Sequence, residues 1–332
     1  MKTPLPDFSA LLASGDLERL ERPPKGPLGS YFRHYGLDVL LEQAMEMHTG
    51  YLHAHGFRLW VQVWTPPGTV RGTLVVVHGY FDHLGLYAHL LKMALSQGFR
   101  VVLWDLPGHG LSSGEPAAID TFATYTRCLR LLLSQLDERA LIKGPLIGIG
   151  QSTGGAVLAT DALERAGARP WQAQVLLAPL VRPCQWPRIQ VLHRLASPFI
   201  RRIPRYYQPN TTDQAFTDFL RCRDPLQARH LPLCWLTAMR GWIEHVQTLP
   251  PAPIPILILQ GEADATVDWR WNLEVLGGLF PDASMVRYPG ARHHLVNESP
   301  ALRWAIFEDL KTFLIEQTEP PCAASDTSPR RP

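Results

Sequence analysis

From residue 57 onward, short apolar runs alternate with longer stretches whose apolar residues recur every three or four positions. The runs at 57–64, 73–78, 99–104, 146–150, 173–177, 256–260 and 284–288 have the length and the β-branched or aromatic content of strands. Helical periodicity occupies 86–96, 119–136, 153–166 and 269–279, and a further helix is expected after the last strand, at 300–315. Short continuous apolar runs separated by helices predict a parallel sheet, because parallel strands need crossover connections and are buried on both faces. The expected fold class is therefore α/β, with a mostly parallel central sheet, helices on both faces and a core formed by 51–180 and 251–316.

Three segments depart from the alternation. Residues 1–50 contain one amphipathic stretch at 8–20 and a Pro/Gly-rich stretch at 21–30, which predicts a packed N-terminal extension. Residues 181–250 contain no convincing strand and read as a helical insertion. Residues 317–332 are polar and Pro-rich and are expected to be a disordered tail.

Composition narrows the classes of function. With 332 residues, 46% hydrophobic and 19% charged, the chain has enough apolar material for one large domain or two smaller ones. A net charge of +2 gives no general reason to expect a nucleic-acid partner. The apolar runs fall far short of the ~20 residues a membrane-spanning helix needs. The first twenty residues carry Asp7, Asp16 and Glu18 and no long apolar stretch, so they do not read as a signal peptide. Cys128, Cys184, Cys222, Cys234 and Cys322 are odd in number and form no C-x-x-C pair, which fits a cytoplasmic location and no disulfide framework. Neither a metal site nor a cofactor is expected.

Gly150-Gln151-Ser152-Thr153-Gly154 matches G-x-S-x-G, the tight strand-to-helix turn that projects a serine hydroxyl above a sheet edge. Gly110-Leu111-Ser112-Ser113-Gly114 matches the same pattern. Context separates the two. Ser152 follows an apolar run and opens a good helix, whereas Ser112 is cut off from its strand by Pro107 and Gly108 and followed by Glu115-Pro116. Ser152 is thus the candidate nucleophile.

A serine hydroxyl needs a histidine to take its proton and a carboxylate to orient that histidine. In this class of turn the order is Ser, acid, His, each after a strand. The loop after 256–260 carries Glu262, Asp264 and Asp268; Asp264 is the favoured acid, and Asp268 is expected to cap the next helix. The loop after 284–288 carries His293 and His294, and spacing from the strand favours His293 as base. Following 73–77, His78-Gly79-Tyr80-Phe81-Asp82-His83 offers a turn whose backbone amides can face an oxyanion. The oxyanion donors expected there are the amides of Tyr80 and Thr153. His78 is read as shaping the turn.

Together, His78-Gly79, the segment Asp105-Leu106-Pro107-Gly108-His109-Gly110-Leu111-Ser112, the Ser152 turn, Gly261-x-x-Asp264 and Gly290-x-x-His293 resemble the α/β-hydrolase superfamily. Within it, residues 51–315 look most like the monoacylglycerol lipase and lysophospholipase group, also described as serine aminopeptidase-like hydrolases. The resemblance makes Asp105, His109 and Ser112 scaffold and makes 181–250 a helical cap over the active site. One departure is visible: relatives usually have Glu-His where Asp82-His83 stands.

The resemblance implies an esterase that cleaves a single-chain lipid ester, a lysophospholipid or monoacylglycerol, through an acyl-enzyme. A peptidase, thioesterase or C–C bond hydrolase on the same scaffold stays open, because fold does not set substrate. A binding protein without catalysis is the remaining alternative, although all three triad members are in place. The residues between Leu180 and Pro250 include ten arginines, no lysine and four acids, an excess of six positive charges. Arg188, Arg194, Arg201, Arg202 and Arg205 alternate with Trp186, Phe199, Tyr206 and Tyr207, a mixture suited to peripheral contact with an anionic membrane. Trp186, Leu192, Trp235 and Trp242 are expected to line an apolar pocket beneath the cap.

Overall fold

The computed structural model describes residues 5–166 and 170–319. Eleven strands occur among them: β1 (Glu18–Arg19), β2 (Glu46–Ala54), β3 (Phe57–Thr65), β4 (Thr73–Val77), β5 (Arg100–Trp104), β6 (Leu146–Gln151), β7 (Trp171–Leu177), β8 (Arg202–Pro204), β9 (His230–Pro232), β10 (Ile256–Gly261) and β11 (Ser284–Tyr288). Nine form one sheet in the order β1-β2-β3-β5-β4-β6-β7-β10-β11. From β5 to β11 every neighbouring pair is parallel, and β1, β2 and β3 add an antiparallel edge. Every residue of β4, β5, β6 and β10 is buried, as expected of strands covered on both faces.

The helices are α1 (Gly26–His34), α2 (Ala88–Ser96), α3 (Phe122–Glu138), α4 (Thr153–Glu164), α5 (Trp186–Ala196), α6 (Gln214–Cys222), α7 (Leu233–Val246), α8 (Trp269–Leu279) and α9 (Pro300–Glu316). One apolar cluster unites a face of the sheet with α3, α4, α7 and α8. A second covers the other face with α1, α2 and α9. α3 shows how sequence directs this packing: Tyr125, Cys128, Leu129, Leu132 and Leu136 recur at helical spacing and are all buried.

The antiparallel edge goes beyond what local pattern predicts. β2 crosses the expected boundary at residue 50 and pairs with β3 over its whole length. Its tight connection uses His55 and Gly56, both at positive φ, as a two-residue hairpin turn requires. The N-terminal extension packs Phe8, Leu11, Tyr31, Phe32 and Leu37 into the second cluster. Residues 181–250 contain α5, α6 and α7, and also a short antiparallel ribbon of β8 with β9 that the sequence reading lacks. Of the expected tail at 317–332, residues 320–332 lie outside the described residues.

Candidate active site

Ser152 stands between β6 and α4 with φ 53° and ψ −111°, a conformation that an L-residue adopts only under constraint. The constraint is close packing by two glycines. A methyl group on Gly154 would lie 1.9 Å from the carbonyl oxygen of Val77, and one on Gly150 would lie 2.5 Å from the Gly154 backbone. Helix α4 therefore sits directly against β4 and β6. The Ser152 amide donates to Leu177 O at 2.8 Å, anchoring the turn to β7.

The loops after β10 and β11 bring the expected acid and base together. His293 Nδ1 lies 2.7 Å from Asp264 Oδ2. Asp264 also accepts from the Thr266 amide at 2.8 Å, the Val267 amide at 3.2 Å and the Gln260 side chain at 3.1 Å. Burial alone would raise the Asp264 pKa, but His293 and these donors outweigh it and hold the group ionised below its usual range. The reciprocal effect acts on His293: burial disfavours its charged form, yet the adjacent carboxylate raises its pKa above 6.5. The His293 loop is fastened to the Ser152 turn by Gln151, whose side-chain amide donates to His293 O at 2.8 Å. Ser152, Asp264 and His293 are 6%, 6% and 7% exposed, so their environment is largely shielded from water.

The competing residues have different surroundings. Glu262 is half-buried and reaches only Arg287, at 3.8 Å. Asp268 occupies the position before α8, but its carboxylate makes no cap bond; Arg182 binds it through two N–H groups at 2.7 and 2.9 Å, a stronger partner than a backbone amide. His294 turns away from Asp264, and its Nε2 faces Asp82 Oδ2 at 3.2 Å. Burial would raise Asp82, but His294 holds its carboxyl well below the usual carboxylate range.

The second serine match is structural. Ser112 Oγ donates to Asp105 O at 2.6 Å and accepts the Trp60 amide at 2.9 Å. Asp105, its pKa pushed up by burial to about 6, accepts the amides of Leu84 and Leu111. His78 donates Nδ1–H to Gly79 O and accepts the Leu106 amide, which fixes it as a neutral hinge of the turn. Burial lowers the pKa of His78 to about 3 and that of His109 to about 4, so neither is charged near neutrality.

The amide of Gly79 is engaged by the Tyr87 hydroxyl at 3.2 Å, whereas the Tyr80 amide meets no acceptor among the described residues. Thr153 opens α4, so its amide is one of the helix's first four and has no intrahelical partner. The two lie near Ser152: Thr153 follows it directly, and a methyl group built on Gly79 would lie 3.4 Å from Ser152 Cβ.

Two contributors escaped sequence reasoning. Glu298 is buried at the end of the base loop, accepts the Arg292 amide at 2.6 Å and the Thr212 amide at 2.8 Å, and takes the Thr212 hydroxyl as well. It thereby ties the base loop to the chain between β8 and α6. Asp224, from the insertion, pairs with His83. The pairing residues lie 86 and 141 positions apart at these two sites, so no local motif marks either.

The insertion departs from expectation in three places. Trp186, Trp235 and Trp242 are buried, but Leu192 is 59% exposed and lines nothing. Trp242 stacks on Phe122 and donates to Thr160 Oγ1 at 2.8 Å, so it fastens α7 to α3 and α4 rather than lining a pocket. Arg205 does not point outward with Arg201 and Arg202: its guanidinium lies 4.1 Å from the Phe81 ring centroid.

A sheet of this order, with a strained serine after β6 and a carboxylate-paired histidine from the two edge loops, defines an α/β hydrolase. Residues 68–300 match the family described as serine aminopeptidase, S33, and the chain belongs to that family. Among curated proteins, human monoglyceride lipase is 28% identical over 278 residues, covering 80% of this chain and 90% of the relative. A pimeloyl-[acyl-carrier protein] methyl ester esterase from Klebsiella pneumoniae is 27% identical, covering 76% of this chain and 98% of its own length. Among solved structures, a soluble variant of monoglyceride lipase from Saccharomyces cerevisiae, bound to a substrate analog, superposes with a TM-score of 0.69 at 19% identity. That match covers 82% of this chain and 95% of the other.

Proposed function

We propose that this α/β hydrolase cleaves carboxylic esters of single-chain lipids, a monoacylglycerol or lysophospholipid, through an acyl-enzyme. The observation that carries the reading is the 2.7 Å pairing of Asp264 with His293 on a loop tied by Gln151 to the Ser152 turn. With its Nδ1–H given to Asp264, neutral His293 keeps the lone pair on Nε2 for the proton of Ser152 Oγ. The serine oxygen then bonds to the ester carbon, and the carbonyl oxygen becomes an oxyanion held by the amides of Tyr80 and Thr153. Collapse expels the alcohol, which takes its proton from His293. Water, deprotonated by the same histidine, cleaves the acyl-serine and restores the enzyme.

A lipid substrate is supported by the similarity to monoglyceride lipases and by the surface of the insertion. Val191, Leu192, Leu195, Phe199 and Ile200 are exposed together, flanked by exposed Arg188, Arg194, Arg201 and Arg202. Such a basic-rimmed apolar strip suits an anionic lipid interface, where substrate is found. Among the described residues no helix is long and apolar enough to cross a membrane, and the contact proposed here is peripheral.

The test is turnover of a panel of monoacylglycerol, lysophospholipid, acyl-CoA and peptide substrates by the protein and by Ser152→Ala. Ester hydrolysis that falls by about a millionfold in the variant is expected. Near-normal turnover by Ser152→Ala would remove the mechanism, and preference for the thioester or peptide would move the substrate class.

A further inference from the structure

Residues 80–83 connect the Gly79 backbone beside Ser152 to the turn that precedes α2. Phe81 within this loop has φ 67°, which costs a non-glycine residue strain and persists only when its surroundings over-determine it. Those surroundings are mostly the insertion. The Tyr80 ring stacks on Trp235 with centroids 3.8 Å apart and planes 19° apart. Phe81 lies under the Arg205 guanidinium at 4.1 Å. His83 Nε2 lies 3.0 Å from Asp224 Oδ2, and the side chains of this pair are wholly buried. The core holds the loop as well: the Tyr80 hydroxyl donates to Ala117 O at 2.8 Å, and Asp82 accepts the Tyr87 hydroxyl at 3.2 Å and lies beside His294.

Asp224 is the centre of these contacts. His83 Nδ1 accepts the Gly85 amide at 3.2 Å, so the ring proton stands on Nε2 and is donated to Asp224. The carboxylate also accepts Tyr35 Oη–H at 2.8 Å, from the N-terminal extension, and Gln227 Nε2–H at 2.9 Å. Gln227 Oε1 in turn accepts from Arg205, the residue above Phe81. The carboxylate thus joins the extension, the insertion and the loop in one buried network. The neutral alternatives for such a group are poor: a buried carboxylate stripped of His83 keeps its desolvation cost and loses its main donor.

We propose that the insertion builds the oxyanion loop, with Asp224 as its positioning residue, acting through His83 to hold the Tyr80 amide on the Ser152 side. The inference rests on the reading of Tyr80 and Thr153 as oxyanion donors and adds what keeps the first of them in place. Its consequence is that lifting the insertion and disassembling the oxyanion hole are one event. The Asp264–His293 bond itself joins two core loops, but displacing the insertion also removes the Glu298 bonds to Thr212 that brace the His293 loop, so it is point variants, which leave Thr212 in place, that isolate the oxyanion effect. Catalysis is then confined to the closed state, in which water is also excluded.

The experiment measures kcat and KM on a short soluble ester, and affinity for a trifluoromethyl ketone that forms a tetrahedral adduct with serine, for the full chain and for Asp224→Asn, Trp235→Leu and Arg205→Met. Loosening one donor is expected to lower kcat by about 10- to 100-fold, below the loss from deleting a donor outright. KM should be nearly unchanged, and the ketone affinity should fall in proportion to kcat. The acid limb of the pH profile, set by His293, should stay where it is. A purely structural role would lower the melting temperature and leave kcat and ketone affinity of the folded fraction intact, and that result overturns the proposal. If Asp224→Asn does not fold, Arg205→Met decides by the same readouts, since Arg205 is only half-buried and its loss leaves Asp224 paired. The underlying reading fails separately, as turnover that survives Ser152→Ala; the present inference fails as kcat that survives the insertion variants.

Discussion

Gln151 and His293, separated by 142 residues, are joined by a 2.8 Å hydrogen bond from the side-chain amide of one to the carbonyl of the other. Gln151 immediately precedes Ser152, so the bond sets the loop of the proposed base against the turn of the proposed nucleophile. Removing it leaves the carbonyl of His293 without this donor in a buried site. Gln151→Ala is expected to lower kcat by about tenfold to a hundredfold, the range a misplacement near 1 Å produces. Steady-state kinetics on a soluble ester check this, with active-site titration to count folded protein. An unchanged kcat would show that other contacts align the loop.

On the proposed mechanism, the pairing of His293 with Asp264 sets the pH dependence. His293 must be neutral to accept the serine proton, and its pKa is raised above 6.5 by the carboxylate against the opposing effect of burial. Activity should therefore be lost on the acid side, with kcat/KM falling as pH drops through a value above 6.5. Asp264→Asn removes the raising charge, so the limb should move to lower pH while the rate falls about ten-thousandfold. A limb that stays in place in this variant would mean that another group titrates.

Two glycine substitutions should have opposite effects. Gly154→Ala would place a methyl group 1.9 Å from Val77 O, between a helix and a strand that cannot separate without breaking the core. The expected cost is about 3 kcal/mol or more, read by urea unfolding. Gly241 lies inside α7 with open space around its Cβ position. Gly241→Ala is expected to stabilise the protein by about 0.5–1 kcal/mol through helix propensity. Destabilisation there would reveal a requirement at that surface beyond the helix itself.

The exposed strip on the insertion predicts interfacial behaviour. Phe199 is 87% exposed, and Arg201 and Arg202 beside it face solvent. The combined variant Phe199→Ser, Arg201→Gln, Arg202→Gln should bind anionic vesicles less and lose activity on aggregated lipid while sparing a short soluble ester. Binding by the parent should weaken with salt, because exposed charges are screened over about 8 Å at physiological ionic strength. Arg205 is left out because it serves Phe81. Equal losses on both substrates would exclude an interfacial role.

What could be read along the chain was what depends on neighbours in sequence. The parallel strands β4, β5, β6, β7 and β10 lie within two residues of their expected bounds, because a strand buried on both faces must be continuously apolar, and the largely exposed edge strand β11 matches its expected bounds as well. The Ser152 turn was legible for a similar reason: its geometry needs glycine two residues to either side, and that need is written locally. β2 was not legible, since its nine residues mix Glu46, His48, Thr49 and His53 with apolar positions and its strand character comes from pairing with β3. Spacing from β11 favoured His293 over His294, but their partners could not be read from the chain; the fold sets one against Asp264 and the other against Asp82. Composition made one basic set of Arg201, Arg202 and Arg205, and the tertiary structure split it by folding Arg205 back over Phe81. Local pattern determines which segments are strand, helix or turn, because backbone sterics and one-sided burial act over a few residues. The partner of Asp224 is 141 residues away, and such a choice exists only once packing excludes water and a buried charge must be met by whatever donor the fold has brought beside it.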